Sequence, residues 1–172
     1  NQSMIAKSSL KSFKRPTLRQ PGDKLRFANL AAAFGENSIQ VGALALDRSH
    51  AVRLAGDLLV ASGRVHPDYT QEMIDVLDSH GPYIVIAPGI ALAHSKPSNL
   101  VLETGMSLVV LAEPIEFGNK ANDPVRLVFG FCAVDHDSHL GLLQDLAIAL
   151  SEESFVNSLL NARDSEHLRG LL

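Results

Sequence analysis

Two histidines in this chain follow apolar runs and are placed for group-transfer chemistry. His94 comes after the strand-like run in GPYIVIAPGIALAHSKP (residues 81–97), just beyond its Pro88-Gly89 break, and His139 follows another apolar run in AVDHDSHL (133–140). Phosphoryl transfer is mostly positioning and charge stabilisation. One neutral imidazole as acceptor and a second as hydrogen-bond donor to the phosphoryl oxygens would therefore make a minimal site, with no metal and no bound nucleotide. The neighbours of His94, namely Pro88, Gly89, Ser95, Lys96 and Pro97, read as a loop that exposes the ring at the edge of an apolar layer. Asp137 and Ser138 are candidate caps for a helix starting beside His139, which puts that ring in the first helical turn. A phosphate there gains roughly 0.3–1 kcal/mol from the helix field and on the order of 1.5–3 kcal/mol per charge-assisted hydrogen bond.

Other reactive residues carry weaker signals. Asp135, His136, Asp137 and His139 contain an H-x-x-H spacing, but there is no H-E-x-x-H and no cysteine pair. Carboxylates before a helix usually cap it, so no metal is expected. Cys132, the single cysteine, lies in the apolar run LVFGFCAV and reads as buried packing. His50, His66, His80 and His167 fall on helices or their ends and read as surface or capping residues. No G-x-x-x-x-G-K-[ST], G-x-G-x-x-G or G-x-S-x-G occurs, so no nucleotide cofactor is expected. A phosphoryl group on His94 must then come from another protein.

The elements that position these residues alternate in type. Helices are predicted over residues 25–34, 49–62, from Pro67 to Gly81, 140–150, 152–160 with Ser151 as cap candidate, and 165–171. Strands are predicted over 39–41, 83–87, 107–112 and 125–134, short and apolar enough to be buried. The strands on either side of Pro114–Pro124 are close enough in sequence to pair antiparallel, while helical connections allow parallel neighbours. The expected fold is α/β, layered around a mixed sheet.

Composition bounds the rest. A chain of 172 residues with 46% apolar residues suffices for one domain with a sizeable core. The net charge of -4 is uneven: residues 1–24 carry six basic residues against Asp23, a net +5, leaving -9 on residues 25–172. An acidic body argues against a nucleic-acid surface. The first 24 residues read as a separable basic arm, and residues 25–172 as the working domain. One cysteine, no apolar stretch of membrane-spanning length and no legible leader give a cytoplasmic expectation.

At GPYIVIAPGIALAHSKP, GMSLVVLAEPIEFGNKANDPVRLVFGFCAVDHDSHL and LQDLAIALSEE, the chain resembles enzyme IIA domains of the bacterial phosphoenolpyruvate-dependent sugar phosphotransferase system. The similarity is to the mannitol and fructose superfamily and its ascorbate-like branch. The resemblance implies a three-layer α/β/α domain with about five strands. It implies His94 as phosphoryl acceptor from the histidine phosphocarrier protein, His139 as the second histidine, and a cysteine of an enzyme IIB domain as receiver. Membrane association would be indirect, through a sugar permease. Where the family reads Leu-Pro-His-Ala, this chain has Leu92, Ala93, His94 and Ser95, so the segment lacks proline's fixed φ. Two alternatives remain: a regulatory phosphorelay domain of the nitrogen-related type, and a non-catalytic binding module of the same fold.

Overall fold

A computed structural model describes residues 27–172, so the expected basic arm (1–24) and the start of the first expected helix at Leu25 lie outside the described residues. The elements run α1 (Ala28–Ala33), β1 (Ile39–Ala43), α2 (Arg48–Ala61), α3 (Asp68–His80), a 3-10 turn (Pro82–Ile84), β2 (Val85–Ala87), β3 (Ile90–His94), β4 (Gly105–Ile115), β5 (Val125–Cys132), α4 (Leu140–Leu150), α5 (Glu153–Leu160) and α6 (Ser165–Leu171). The strands form one five-stranded sheet in the order β1-β4-β5-β3-β2. β1 pairs with β4 and β3 with β5 in parallel, whereas β4–β5 and β2–β3 are antiparallel. The sheet is mixed because a short connection returns the chain antiparallel, and parallel neighbours need a longer crossover.

Helices cover both faces. On one, Val52, Ala55 and Leu59 of α2 and Tyr69, Met73 and Leu77 of α3 pack on Val109, Leu111 and Val128. On the other, Leu30 of α1, Leu142 and Leu146 of α4, Leu159 of α5 and Leu168 of α6 pack on Leu108, Val110, Leu127 and Phe129. The period of two along β4 and β5 sends neighbouring residues to opposite faces, and with both faces covered the runs are mostly apolar. Each fully buried Leu, Val or Phe contributes about 1.5–3 kcal/mol. This is the three-layer α/β/α arrangement.

Local chemistry sets the element ends. Asp47 caps α2 by accepting from the His50 N–H at 2.8 Å. α3 starts after Pro67 and stops at Gly81, whose φ of 71° suits a residue without a Cβ. Between β2 and β3, Gly89 has φ 74°, so Pro88 and Gly89 form a turn between two strands.

Several boundaries differ from expectation. The apolar run ending at His94 is a hairpin of two strands, so His94 is the last residue of β3 and Ala93 sits inside a strand opposite Gly130. The missing proline therefore bears on a strand, where an N–H matters, and not on a loop. Pro82–Ile84 forms a 3-10 turn, which shortens β2 from the expected 83–87. β4 extends through Pro114 to Ile115. Ser151 closes α4 instead of capping α5, and Glu152 occupies the cap position of α5.

Candidate functional site

The parallel pairing of β3 with β5 brings the two halves of the candidate site together. Their register runs from Ile90 opposite Leu127 to His94 opposite Phe131. Along β3, Ile90 and Leu92 face the layer that contains α4, while Ala91 and Ala93 face α2 and α3. Alternation puts the exposed His94 ring on the α4 side, beside Phe131. His139 immediately precedes α4, and its ring meets that of Phe131 edge-on, with centroids 5.3 Å apart and planes at 62°. One aromatic ring thus connects the two histidines' positions, and edge-to-face contact of this kind contributes about 0.5–1.5 kcal/mol.

Each histidine has one ring nitrogen committed to a backbone carbonyl. His94 Nδ1 lies 3.0 Å from the Leu92 oxygen, and His139 Nδ1 lies 3.2 Å from the Asp135 oxygen. A carbonyl oxygen can only accept, so each Nδ1 carries its proton and donates it. In the neutral ring Nε2 then holds the lone pair. His94 consequently presents a nucleophilic Nε2, and His139 can donate from Nε2 only as the imidazolium.

The loop before α4 is fixed by Asp135. Its carboxylate accepts from the Asp137 N–H at 3.0 Å and the Ser138 N–H at 2.7 Å. Hydrogen bonds from the Ser138 side chain, then from these two N–H groups, hold the Asp135 carboxyl below its ordinary pKa; the positive form of His139 adds a smaller effect. This corrects the capping expectation: neither Asp137 nor Ser138 caps α4, whose N-cap residue is His139 itself, without a side-chain cap. No acidic residue occupies the first turn of α4, so its field remains available to an anion.

His94 and His139 line one cleft of about 670 Å³ together with His80, His136, Lys96 and Ser95; its apolar wall includes Val76, Ile84, Leu92, Phe131 and Leu143. No carboxylate is among its lining residues, which leaves a lining of imidazoles and one ammonium. His80, read from sequence as a surface or capping residue, is the exposed last residue of α3 and lines the cleft, as does His136, to which the sequence assigned no role. His50, His66 and His167 lie elsewhere and bond locally: the first and last accept from Leu46 N–H and Arg163 N–H, and the His66 ring stands 3.5 Å from Asp68. Cys132 is buried, its thiol donating toward the Glu103 and Gly105 oxygens; burial pushes it from 9.0 up to about 11. Among the described residues no group of three or more His, Cys, Asp and Glu is arranged to hold a metal.

Tyr69 is a further residue at this end of the sheet that periodicity marked only as core. Its hydroxyl accepts from the Ser95 N–H at 2.9 Å and lies 3.0 Å from the Ser95 oxygen and 3.1 Å from the Phe131 oxygen. The available signal was that a buried tyrosine needs a partner for its O–H.

The architecture is an open mixed sheet with helices on both faces, one exposed imidazole at the end of β3 and a second immediately before α4. The family model described as "Phosphoenolpyruvate-dependent sugar phosphotransferase system, EIIA 2" matches residues 32–172, and the chain belongs to that family. It is thereby a component of a sugar phosphotransferase system. The ascorbate-specific PTS system EIIA component of Escherichia coli (strain K12) is 41% identical over 129 residues, covering 73% of this chain and 84% of that protein. The mannitol-specific cryptic phosphotransferase enzyme IIA CmtB from Escherichia coli superposes with a TM-score of 0.74 at 34% identity, covering 83% of this chain and 97% of that one. The enzyme IIA of the Escherichia coli complex of IIAMtl with phosphorylated IIBMtl gives a TM-score of 0.68 at 29% identity, covering 80% and 94%. Among the described residues no helix is long and apolar enough to cross a membrane.

Proposed function

We propose that His94 accepts a phosphoryl group on Nε2 from the histidine phosphocarrier protein and passes it to a cysteine of an enzyme IIB domain, in the uptake of an ascorbate-class sugar. The observation that carries this reading is the Nδ1–H bond from His94 to Leu92, which fixes the tautomer and leaves the lone pair on Nε2 of a ring that lines the cleft. In the first step the Nε2 lone pair forms a bond to phosphorus as the donor's N–P bond breaks, and those electrons return to the donor's imidazole. The His94 ring gains positive charge and its Nδ1–H bond to the Leu92 oxygen strengthens. His139, its Nδ1–H held by the Asp135 oxygen, can when protonated donate Nε2–H to the phosphoryl oxygens. In the second step a thiolate of the IIB domain attacks phosphorus and the electrons of the N–P bond return to His94.

The ascorbate assignment is supported by relatives named as ascorbate-specific at about 40% identity. The IIB partner is supported by the mannitol complex, in which a similar IIA domain is bound to a phosphorylated IIB. The domain starting near residue 25 would work in the cytoplasm, meeting the membrane only through the permease. The test is intact mass after incubation with phosphoenolpyruvate, enzyme I and the histidine carrier protein. Wild type should gain one acid-labile phosphoryl group and His94→Ala none; full labelling of the variant would refute the assignment.

A further inference from the structure

We infer that Tyr69 is a positioning residue for phosphoryl transfer, its hydroxyl spliced into the end of the β3–β5 ladder so as to fix the strand end that carries His94. The inference rests on the reading of His94 as acceptor. Gly89 O accepts from the Leu127 N–H at 3.1 Å, which identifies Gly89 as facing β5. Alternation along a parallel ladder then turns the backbone groups of Ala91, Ala93 and Ser95 toward β5. The rung after the last paired residues, His94 and Phe131, would run from the Ser95 N–H to the Phe131 oxygen. The Tyr69 hydroxyl stands in that position, accepting from the first at 2.9 Å and lying 3.1 Å from the second.

The consequences fall on both histidines. Ser95 follows His94 directly, and its second bond distance to the hydroxyl, 3.0 Å from its carbonyl, clamps both of its backbone groups. Phe131 carries the ring against which His139 stands. With one proton, the hydroxyl donates to one of the two carbonyls at a time and accepts from the Ser95 N–H throughout. Tyr69 comes from α3, in the opposite helical layer from α4, and is fully buried. It never meets the phosphoryl group; it holds the backbone from which His94 projects.

The test uses Tyr69→Phe, which keeps the ring, with Ser107→Ala as the control. Ser107 is an equally buried hydroxyl, donating to the Ala55 oxygen at 2.7 Å away from the cleft. Tyr69→Phe should lower the maximal phosphorylation rate by about 10- to 100-fold with the half-saturating carrier concentration unchanged, as misplacement of a reacting group does. Ser107→Ala should lose stability and keep its rate. In unphosphorylated Tyr69→Phe the His94 ring should show a mixture of tautomers by nitrogen NMR, and the Ser95 amide should exchange faster. A measurement on the wild type needs no variant: a slowly exchanging hydroxyl proton should show contact with the Ser95 amide. Wild-type rates in Tyr69→Phe, an equal rate loss in Ser107→Ala, or a freely exchanging Tyr69 hydroxyl would overturn the inference. Labelling of His94→Ala in the same assay would instead overturn the acceptor assignment.

Discussion

Under the proposed role of His139, replacing it by alanine would remove one hydrogen-bond donor from the phosphoryl group. With Nδ1–H committed to the Asp135 oxygen at 3.2 Å, a protonated ring would have one further N–H, at Nε2, to offer an oxygen of the transferring group. One charge-assisted hydrogen bond contributes about 1.5–3 kcal/mol, which corresponds to roughly 10- to 150-fold in rate. The same substitution removes an exposed hydrogen bond and the edge contact with Phe131, together about 1–3 kcal/mol of stability, so the fold should survive. The assay is time-resolved labelling by the phosphorylated carrier, followed by discharge onto an enzyme IIB domain. His139→Ala should label fully but slowly, and His139→Gln, which restores a neutral donor, should fall between alanine and wild type. Unchanged rates in both directions would reduce His139 to a structural residue preceding α4. A complete loss of labelling would refute the single-donor argument from the other side, because it would make His139 indispensable to acceptance.

Two more outcomes follow from the packing beneath the cleft. A Cβ on Gly130 would collide with Ser107 Oγ and stand 3.2 Å from the Ala55 oxygen, so Gly130→Ala should displace α2 or break the Ser107–Ala55 bond. Overpacking and a broken buried hydrogen bond together cost about 2–6 kcal/mol, readable as a fall in the urea midpoint; a loss under about 1 kcal/mol would contradict the close approach. Cys132, raised from 9.0 to about 11, should alkylate at least roughly 100-fold more slowly than a free thiol at pH 8 and react readily in denaturant. Because the folded value lies above the unfolded one for an acid, this thiol leaves stability unaffected well below pH 9. It lowers stability as pH rises from 9 to 11, and a Cys132→Ser comparison of pH-dependent melting checks the sign.

Features that depend on neighbours in the sequence were legible there. The 3.6-residue period of α2 and α3, the glycine stop at Gly81 and the apolar runs of β4 and β5 each express a local rule, and they outline three layers. His94 stood out because an apolar run ended at an imidazole between turn-forming residues. Its strand was hidden, since Pro88 and Gly89 look like a break until β5 supplies the partner that continues the sheet beyond them. The capping error at Asp137 and Ser138 has a similar origin: Asp135 captures their N–H groups first, and in doing so turns its own carbonyl toward His139. His80 and His136 reach the cleft from α3 and the loop before α4, a meeting that no single helical face encodes.

The least legible part is the one that sets the geometry. Tyr69 bonds across 26 residues to Ser95 and across 62 to Phe131, and its sequence signature is that of any apolar helix position. A nucleophilic histidine can be recognised from a short motif because its reactivity belongs to the imidazole. Its tautomer and direction belong to β3, and the end of β3 is held by β5 and by a hydroxyl from the opposite layer. If His94 is the acceptor proposed above, its chemistry is local in composition and non-local in control, and substitutions that keep both histidines should still alter transfer through the ladder end.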